Sequence, residues 1–259
     1  MSVTGSLIGI SKLYEAYNDM KIGILKADSV LPQFQDEFGD YPGMFVARLS
    51  ANSKVALSFE VYDVEHGIYP VSIDACDGYI ITGSKKSVYD DEAWIHDLEE
   101  YVRHLHGVQK PLVGICFGHQ LVAQALGGKT ESADGGWGVG VHTSQLVHQK
   151  DYMQPALSEV KVLVSHKDQV TVLPPGAELL ATSEFCPNTM YQLGEHIVCI
   201  QGHPEFNKLY SQSLMSLREK ILGEEIFLQG ARSLEEPLDS DTLAKWIIEF
   251  FSSRSVTVS

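Results

Sequence analysis

Gly114-Ile115-Cys116-Phe117-Gly118 holds one cysteine in a glycine frame at the junction of two dissimilar runs. Before it, Lys110-Pro111-Leu112-Val113-Gly114-Ile115 reads as a buried strand. After it, residues 118–126 read as a helix that stops at Gly127-Gly128. A strand that turns this sharply into a helix belongs to a sheet covered by helices. The turn residue then stands at the end of the sheet, and the flanking glycines let neighbouring backbone approach without a Cβ clash. The helix N-terminus brings positive partial charge to Cys116 and favours a thiolate. A lone cysteine is more often a small core hydrophobe, but the glycine frame argues against that reading here.

Strands and helices alternate through the first half. Residues 21–25 form the first expected strand. A loop with Pro32, Gly39, Pro42 and Gly43 leads to a helix around 44–51. Residues 55–61 and 77–82 read as strands. A long helix is expected over 92–106, capped by Asp91, with Trp94, Leu98, Val102 and Leu105 on one buried face. This alternation predicts an α/β fold, an open and mostly parallel sheet with helices on both faces. Shorter strands at 141–147, 161–164, 179–181, 189–193 and 197–200 predict an added small antiparallel region. Helices are expected at 208–222 and at 241–251, the latter capped by Asp241. Residues 1–19 read as an extension with one short helix at 11–18, and 223–240 as a loop or short helix. No linker, repeat or low-complexity block divides the chain, so residues 1–259 are expected to form a single domain.

A second segment gives the cysteine a partner. Gln201-Gly202-His203-Pro204-Glu205-Phe206 follows the expected strand at 197–200. A cysteine hydrolase needs a base for the thiol proton and a third group to orient that base. His203 and Glu205 are separated by one residue, so an extended backbone points both to the same side. Alone, His203 is a loop histidine. Beside the cysteine elbow it becomes a candidate base, with Glu205 as its orienter. Gly83 and Cys116 both fall at expected carboxyl ends of strands, where open α/β sheets bind ligands.

Together these motifs resemble the class I glutamine amidotransferase family, the Cys-His-Glu type, from about residue 21 to about residue 220. Ile80-Ile81-Thr82-Gly83-Ser84 is similar to the family's oxyanion strand. Ser165-His166-Lys167-Asp168-Gln169-Val170 is similar to the S-H-x-D-x-V element of GMP-synthetase-type domains. Gly135-Gly136-Trp137-Gly138-Val139-Gly140 stands where such domains line the glutamine pocket. The resemblance implies a flavodoxin-like sheet, with Cys116 as nucleophile, His203 as base and Glu205 as orienter. It implies an oxyanion hole from Gly83 and the Phe117 N–H, and a substrate site including Ser84, Gln120, Trp137, Ser165, His166 and Asp168. Gln120 would hold the amino-acid end of the substrate. Asp168 either bonds the substrate amino group or caps a turn, and Trp137 either shapes the acyl pocket or packs over the sheet. Ala181-Thr182-Ser183-Glu184-Phe185-Cys186 and the segment 199–208 are similar to the stand-alone branch that includes plant γ-glutamyl peptidases. The resemblance therefore implies hydrolysis of glutamine, or of γ-glutamyl peptides such as glutathione conjugates, through a γ-glutamyl thioester, with neither cofactor nor metal.

Composition narrows the remaining classes. The net charge of −15 comes with no sustained basic patch, so nucleic acid is not an expected partner. No run reaches the roughly 18 apolar residues of a membrane span, and the N-terminus lacks the layout of a signal peptide. The 4 cysteines show neither metal spacing nor the density of a secreted framework, so a reduced, cytoplasmic setting is expected. Among the 10 histidines, no carboxylate–histidine pair has zinc-site spacing. Neither a G-x-x-x-x-G-K-[ST] loop nor a Ser-Gly-Gly-x-Asp-Ser motif is present. A glutaminase subunit delivering ammonia to a separate synthetase is the first alternative. A non-catalytic binding protein of the same fold is the second.

Overall fold

The computed structural model describes residues 20–255, so the helix expected at 11–18 lies outside the described residues. Along the chain come β1 (Met20–Lys26), α1 (Pro32–Phe38), α2 (Tyr41–Asn52), β2 (Leu57–Asp63), β3 (Gly78–Ile81), α3 (Ala93–Gly107), β4 (Leu112–Ile115) and α4 (Phe117–Ala125). The strand-rich part follows with β5 (Lys129–Ser132), β6 (Gly138–Leu146), β7 (Glu159–His166), β8 (Asp168–Val172), β9 (Ala177–Thr182), β10 (Met190–Leu193) and β11 (Ile197–Ile200). Helices α5 (Lys208–Leu217), α6 (Glu219–Leu222), α7 (Glu224–Ser233) and α8 (Ser240–Ser255) complete it.

A nine-stranded sheet runs β2-β1-β3-β4-β11-β10-β9-β6-β7. From β2 to β11 the strands are parallel. From β10 to β7 the sheet continues antiparallel, and β5 with β8 forms a separate antiparallel ribbon. Buried parallel strands read as near-continuous apolar runs because both faces are covered, and alternate side chains here feed two cores. Ile24, Ile80, Val113 and Val198 meet Phe45 of α2 and Trp246 of α8 on one face. Leu25, Ile81, Leu112 and Ile197 meet Leu98 of α3 and Leu121 of α4 on the other. Gly83, Cys116 and His203 follow the carboxyl ends of β3, β4 and β11, so parallel pairing alone brings them to one edge.

Several local expectations are corrected. Pro32 and Pro42 stand in helical first turns, where a missing N–H is not needed, so the expected loop holds α1 and the start of α2. Ile95, not Trp94, completes the buried face of α3, and Glu92 rather than Asp91 takes the cap position. Asp241 lies inside α8, which starts at Ser240, and its carboxylate accepts from Arg48 and Asn52. The ribbon strand β5, Lys129-Thr130-Glu131-Ser132, carries no apolar alternation to signal it. The helix expected over 208–222 breaks at Arg218, whose φ of −98° and ψ of 7° end α5.

Candidate active site

The elbow is held by close backbone contacts. Cys116 has φ +51° and ψ −100°, a conformation L-residues rarely adopt. Its N–H donates to the Ile200 carbonyl at 2.9 Å, and its own carbonyl accepts from the Gln120 N–H at 3.1 Å. A Cβ on Gly114 would sit 2.6 Å from the Gly118 carbonyl oxygen, and one on Gly118 would sit 2.6 Å from the Ile81 oxygen. Both neighbours are backbone and cannot rotate away. Gly118→Ala is therefore expected to destabilise the protein by about 1–3 kcal/mol through overpacking, against a helix-propensity gain under about 1 kcal/mol. Urea-unfolding midpoints measure this, and a variant as stable as the wild type would contradict the close-approach argument.

His203 enters from the segment after β11. Its N–H donates to the Leu163 carbonyl on β7 at 2.8 Å. The ring is buried, with Nδ1 bonded to Glu205 Oε1 at 2.7 Å. A carboxylate only accepts, so Nδ1 carries the proton, and Nε2 is left free to serve Cys116, whose side chain lies beside the ring. The pairing of His203 with Glu205 does not come from extended backbone. Residues 203–206 form a turn, closed by the Phe206 N–H on the His203 carbonyl at 3.4 Å, with Pro204 at its second position. Gly83 lies against both partners: a Cβ there would be 2.9 Å from His203 Cε1 and 3.6 Å from Cys116 Cβ. Phe117 opens α4, where first-turn N–H groups lack intrahelical partners.

Burial works against a charged His203 ring. The negative charges of Cys116 and Glu205 outweigh it, and the His203 pKa rises to about 10. Its neighbours thus favour the protonated form of the imidazole.

Cys116 opens into a cleft of about 180 Å³. Ser84, Gln120, Trp137, Ser165, His166 and Asp168, all named from the sequence, line it with Cys116. The details differ from the expected roles. The Gln120 amide nitrogen is spent on the Asp168 carbonyl at 2.8 Å and on Gln201 Oε1 at 3.1 Å. The Asp168 carboxylate accepts from Ser87 and from the Tyr89 hydroxyl, so it fastens the loop after β3 across the cleft. Burial holds His166 neutral, its pKa pushed down to about 3, and its Nδ1 donates to the Asp168 carbonyl at 3.0 Å. The ribbon that the sequence did not reveal thus carries one wall.

Cations complete the cleft and were missed by sequence reasoning: Lys85, Lys86, Lys167 and Arg218. Lys85 pairs with Asp28 and Lys86 with Glu92. Among the described residues, Arg218 and Lys167 form no ion pair with a carboxylate. Arg218 instead donates to Ser165 Oγ at 3.0 Å and lies over the Trp137 ring at 5.3 Å. No pattern in the sequence marks it, because periodicity does not register the single residue at which the helix breaks. Lys167 sits inside the S-H-x-D-x-V element and was visible there.

Comparison with known proteins places the chain among its relatives. The family model for glutamine amidotransferase class-I matches residues 46–215. The chain is 31% identical over 218 residues to gamma-glutamyl peptidase 3 of Arabidopsis thaliana, covering 80% of this chain and 85% of the relative. It is 34% identical over 137 residues to a glutamine-hydrolyzing GMP synthase of Porphyromonas gingivalis, covering 52% of this chain and 26% of that enzyme. Its fold matches the crystal structure of a glutamine amidotransferase from Thermotoga maritima with a TM-score of 0.71 at 19% identity, over 92% of this chain and 98% of that one. With the cysteine elbow, the histidine–glutamate turn and the parallel sheet that joins them, the chain belongs to the class I glutamine amidotransferase family.

Proposed function

We propose that the chain is a cysteine-dependent γ-glutamyl amide hydrolase that acts on γ-glutamyl peptides. The observation that carries this reading is the buried His203 ring, bonded to Glu205 and lying beside Cys116, which lines an open cleft. The Cys116 thiolate attacks the γ-glutamyl carbonyl carbon, and the carbonyl electrons move onto oxygen. The N–H groups of Gly83 and Phe117 stabilise that oxyanion, each donor contributing about 3 kcal/mol in comparable sites. Protonated His203 gives its proton to the departing amine as the C–N bond breaks, leaving a γ-glutamyl thioester and a neutral ring. Water then loses a proton to His203, attacks the thioester and releases glutamate and the thiolate. Glu205 keeps the Nδ1 proton in place through both steps.

Charge at the cleft favours a peptide over glutamine. Ammonia leaves as a small neutral molecule, whereas the leaving amine of a γ-glutamyl peptide carries its own carboxylate. Arg218 and Lys167 offer that carboxylate a counter-charge not already paired within the described residues. The similarity to gamma-glutamyl peptidase 3 supports the same choice. The similarity to a GMP synthase domain supports the alternative of ammonia donation to a separate synthetase.

The test is glutamate release by the purified chain with glutamine, glutathione and a glutathione S-conjugate supplied in parallel. Faster release from the peptides than from glutamine is the expected result. A preference for glutamine would reassign the chain to ammonia donation. Silence on every substrate would remove the stand-alone hydrolase reading and point to a missing partner or to a binding role.

A further inference from the structure

We propose that Phe206 is a positioning residue for His203: the imidazole lies flat on its ring, and Tyr41 stacks on that ring in turn. The inference rests on the base role given to His203 above. The rings of His203 and Phe206 stack with centroids 3.9 Å apart and planes 10° from parallel. Tyr41, at the start of α2, stacks on Phe206 at 6.0 Å and 16°. Tyr210 of α5 meets Phe206 edge-on, at 4.7 Å and 84°. The Tyr41 and Tyr210 hydroxyls bond each other at 3.0 Å, which ties the two braces together. Arg48 Nη2 adds a bond to the Phe206 carbonyl at 3.3 Å.

This arrangement supplies what the Glu205 bond cannot. One hydrogen bond at Nδ1 leaves the imidazole free to swing about the Nδ1–Oε1 line, and that swing carries Nε2 away from sulfur. Gly83 confines the Cε1 edge, and Phe206 confines one face. Aromatic stacking adds attraction beyond area burial, which favours one ring plane. The electron-rich face of Phe206 also suits the positive ring that leaving-group protonation requires. The titratable groups facing His203 are Cys116 at the elbow, Glu205 in its own turn and His166 at the end of β7. Tyr41 and Tyr210 pack against Phe206. Tyr41 therefore comes from a segment more than a hundred residues earlier in the sequence, one whose prolines and glycines read as a loop.

The experiment compares Phe206→Leu, Tyr41→Leu and Tyr41→Phe with the wild-type full chain, using the preferred γ-glutamyl substrate. Thermal midpoints are recorded for each. A reacting group displaced by ~1 Å costs on the order of 100-fold, so Phe206→Leu is expected to lower kcat by about 10- to 100-fold with KM within about twofold. Its pH–rate profile should shift its alkaline limb to lower pH, a change that loss of fold stability alone does not produce. Tyr41→Leu should lower kcat several-fold, while Tyr41→Phe, which keeps the ring and loses only the hydroxyl bond, should stay closer to the wild type than Tyr41→Leu. Unchanged kcat and pH profile in Phe206→Leu would overturn the inference. If that variant does not fold, the Tyr41 pair decides, and equal kcat for its Leu and Phe forms overturns it. Cys116 alkylation by iodoacetamide across pH is followed in parallel, because it reads the Cys116–His203 pair without any substrate. A wild type that neither releases glutamate nor is alkylated at Cys116 defeats the parent reading; an active wild type with an indifferent Phe206→Leu defeats only this one.

Discussion

Cys116→Ala is expected to abolish glutamate release while leaving the fold intact. Removing the nucleophile of a comparable triad lowers kcat by roughly a millionfold, and oxyanion stabilisation and binding retain only a small residue of catalysis. The substitution adds no new backbone strain, because alanine inherits the same positive φ and the same bonds to Ile200 and Gln120. A thermal midpoint close to that of the wild type therefore accompanies the loss. The other cysteines sharpen the test. Burial raises Cys76 and pushes Cys186 and Cys199 up to about 12, so they stay protonated and shielded at neutral pH. Iodoacetamide should consequently label Cys116 alone, and activity should fall in step with that label, read by mass spectrometry of the intact chain and of its peptides. Substantial hydrolysis by the alanine variant, or inactivation that tracks another cysteine, would sink the assignment.

What the sequence disclosed and what it withheld separate along physical lines. Cys116 was legible because steric necessity is written in the glycines that frame it: at Gly114 and at Gly118 a Cβ would strike backbone at 2.6 Å. Cys116 and Gly83 were placed together because parallel apolar strands share one carboxyl edge. The closeness of His203 and Glu205 was anticipated for the wrong reason, since Pro204 makes a turn where alternation suggested a strand. Arg218 was hidden because a single residue breaks the regular run 208–222, and periodicity does not register one non-helical residue. The Tyr41 and Phe206 column was hidden for two reasons. Pro42 and Gly43 read as loop signals although proline is well tolerated in a helical first turn, and stacking between residues so far apart in sequence leaves no local pattern. The cations of the cleft lacked a signal of the same kind, since charge on a strongly acidic chain says little about where a local positive field forms.

Glu205→Gln separates the charge of the third residue from its shape. A glutamine side chain can turn its oxygen to His203 Nδ1 and keep the 2.7 Å bond, but it removes the negative charge beside the ring. In a related triad the same type of change lowers kcat by about 10,000-fold, and a loss between about 100- and 10,000-fold is expected here, where the thiolate depends less on a strong base. The pH profile carries the diagnostic part. In the wild type, burial opposes the imidazolium while Cys116 and Glu205 favour it, and its pKa rises to about 10, above the ordinary 6.5. Leaving-group protonation should then persist until the pH rises through about 10. Without Glu205 the alkaline limb should move down towards neutrality. The same proton links to stability with a fixed sign: its contribution is complete below pH 6.5 and is lost as the pH climbs through about 10. Denaturation midpoints of the wild type should decline over that window more steeply than those of Glu205→Gln. The comparison between the two proteins cancels the lysines and tyrosines that titrate in the same range. An alkaline limb unmoved by the substitution would mean that Glu205 acts only through geometry, and the electrostatic part of the mechanism would have to be given up.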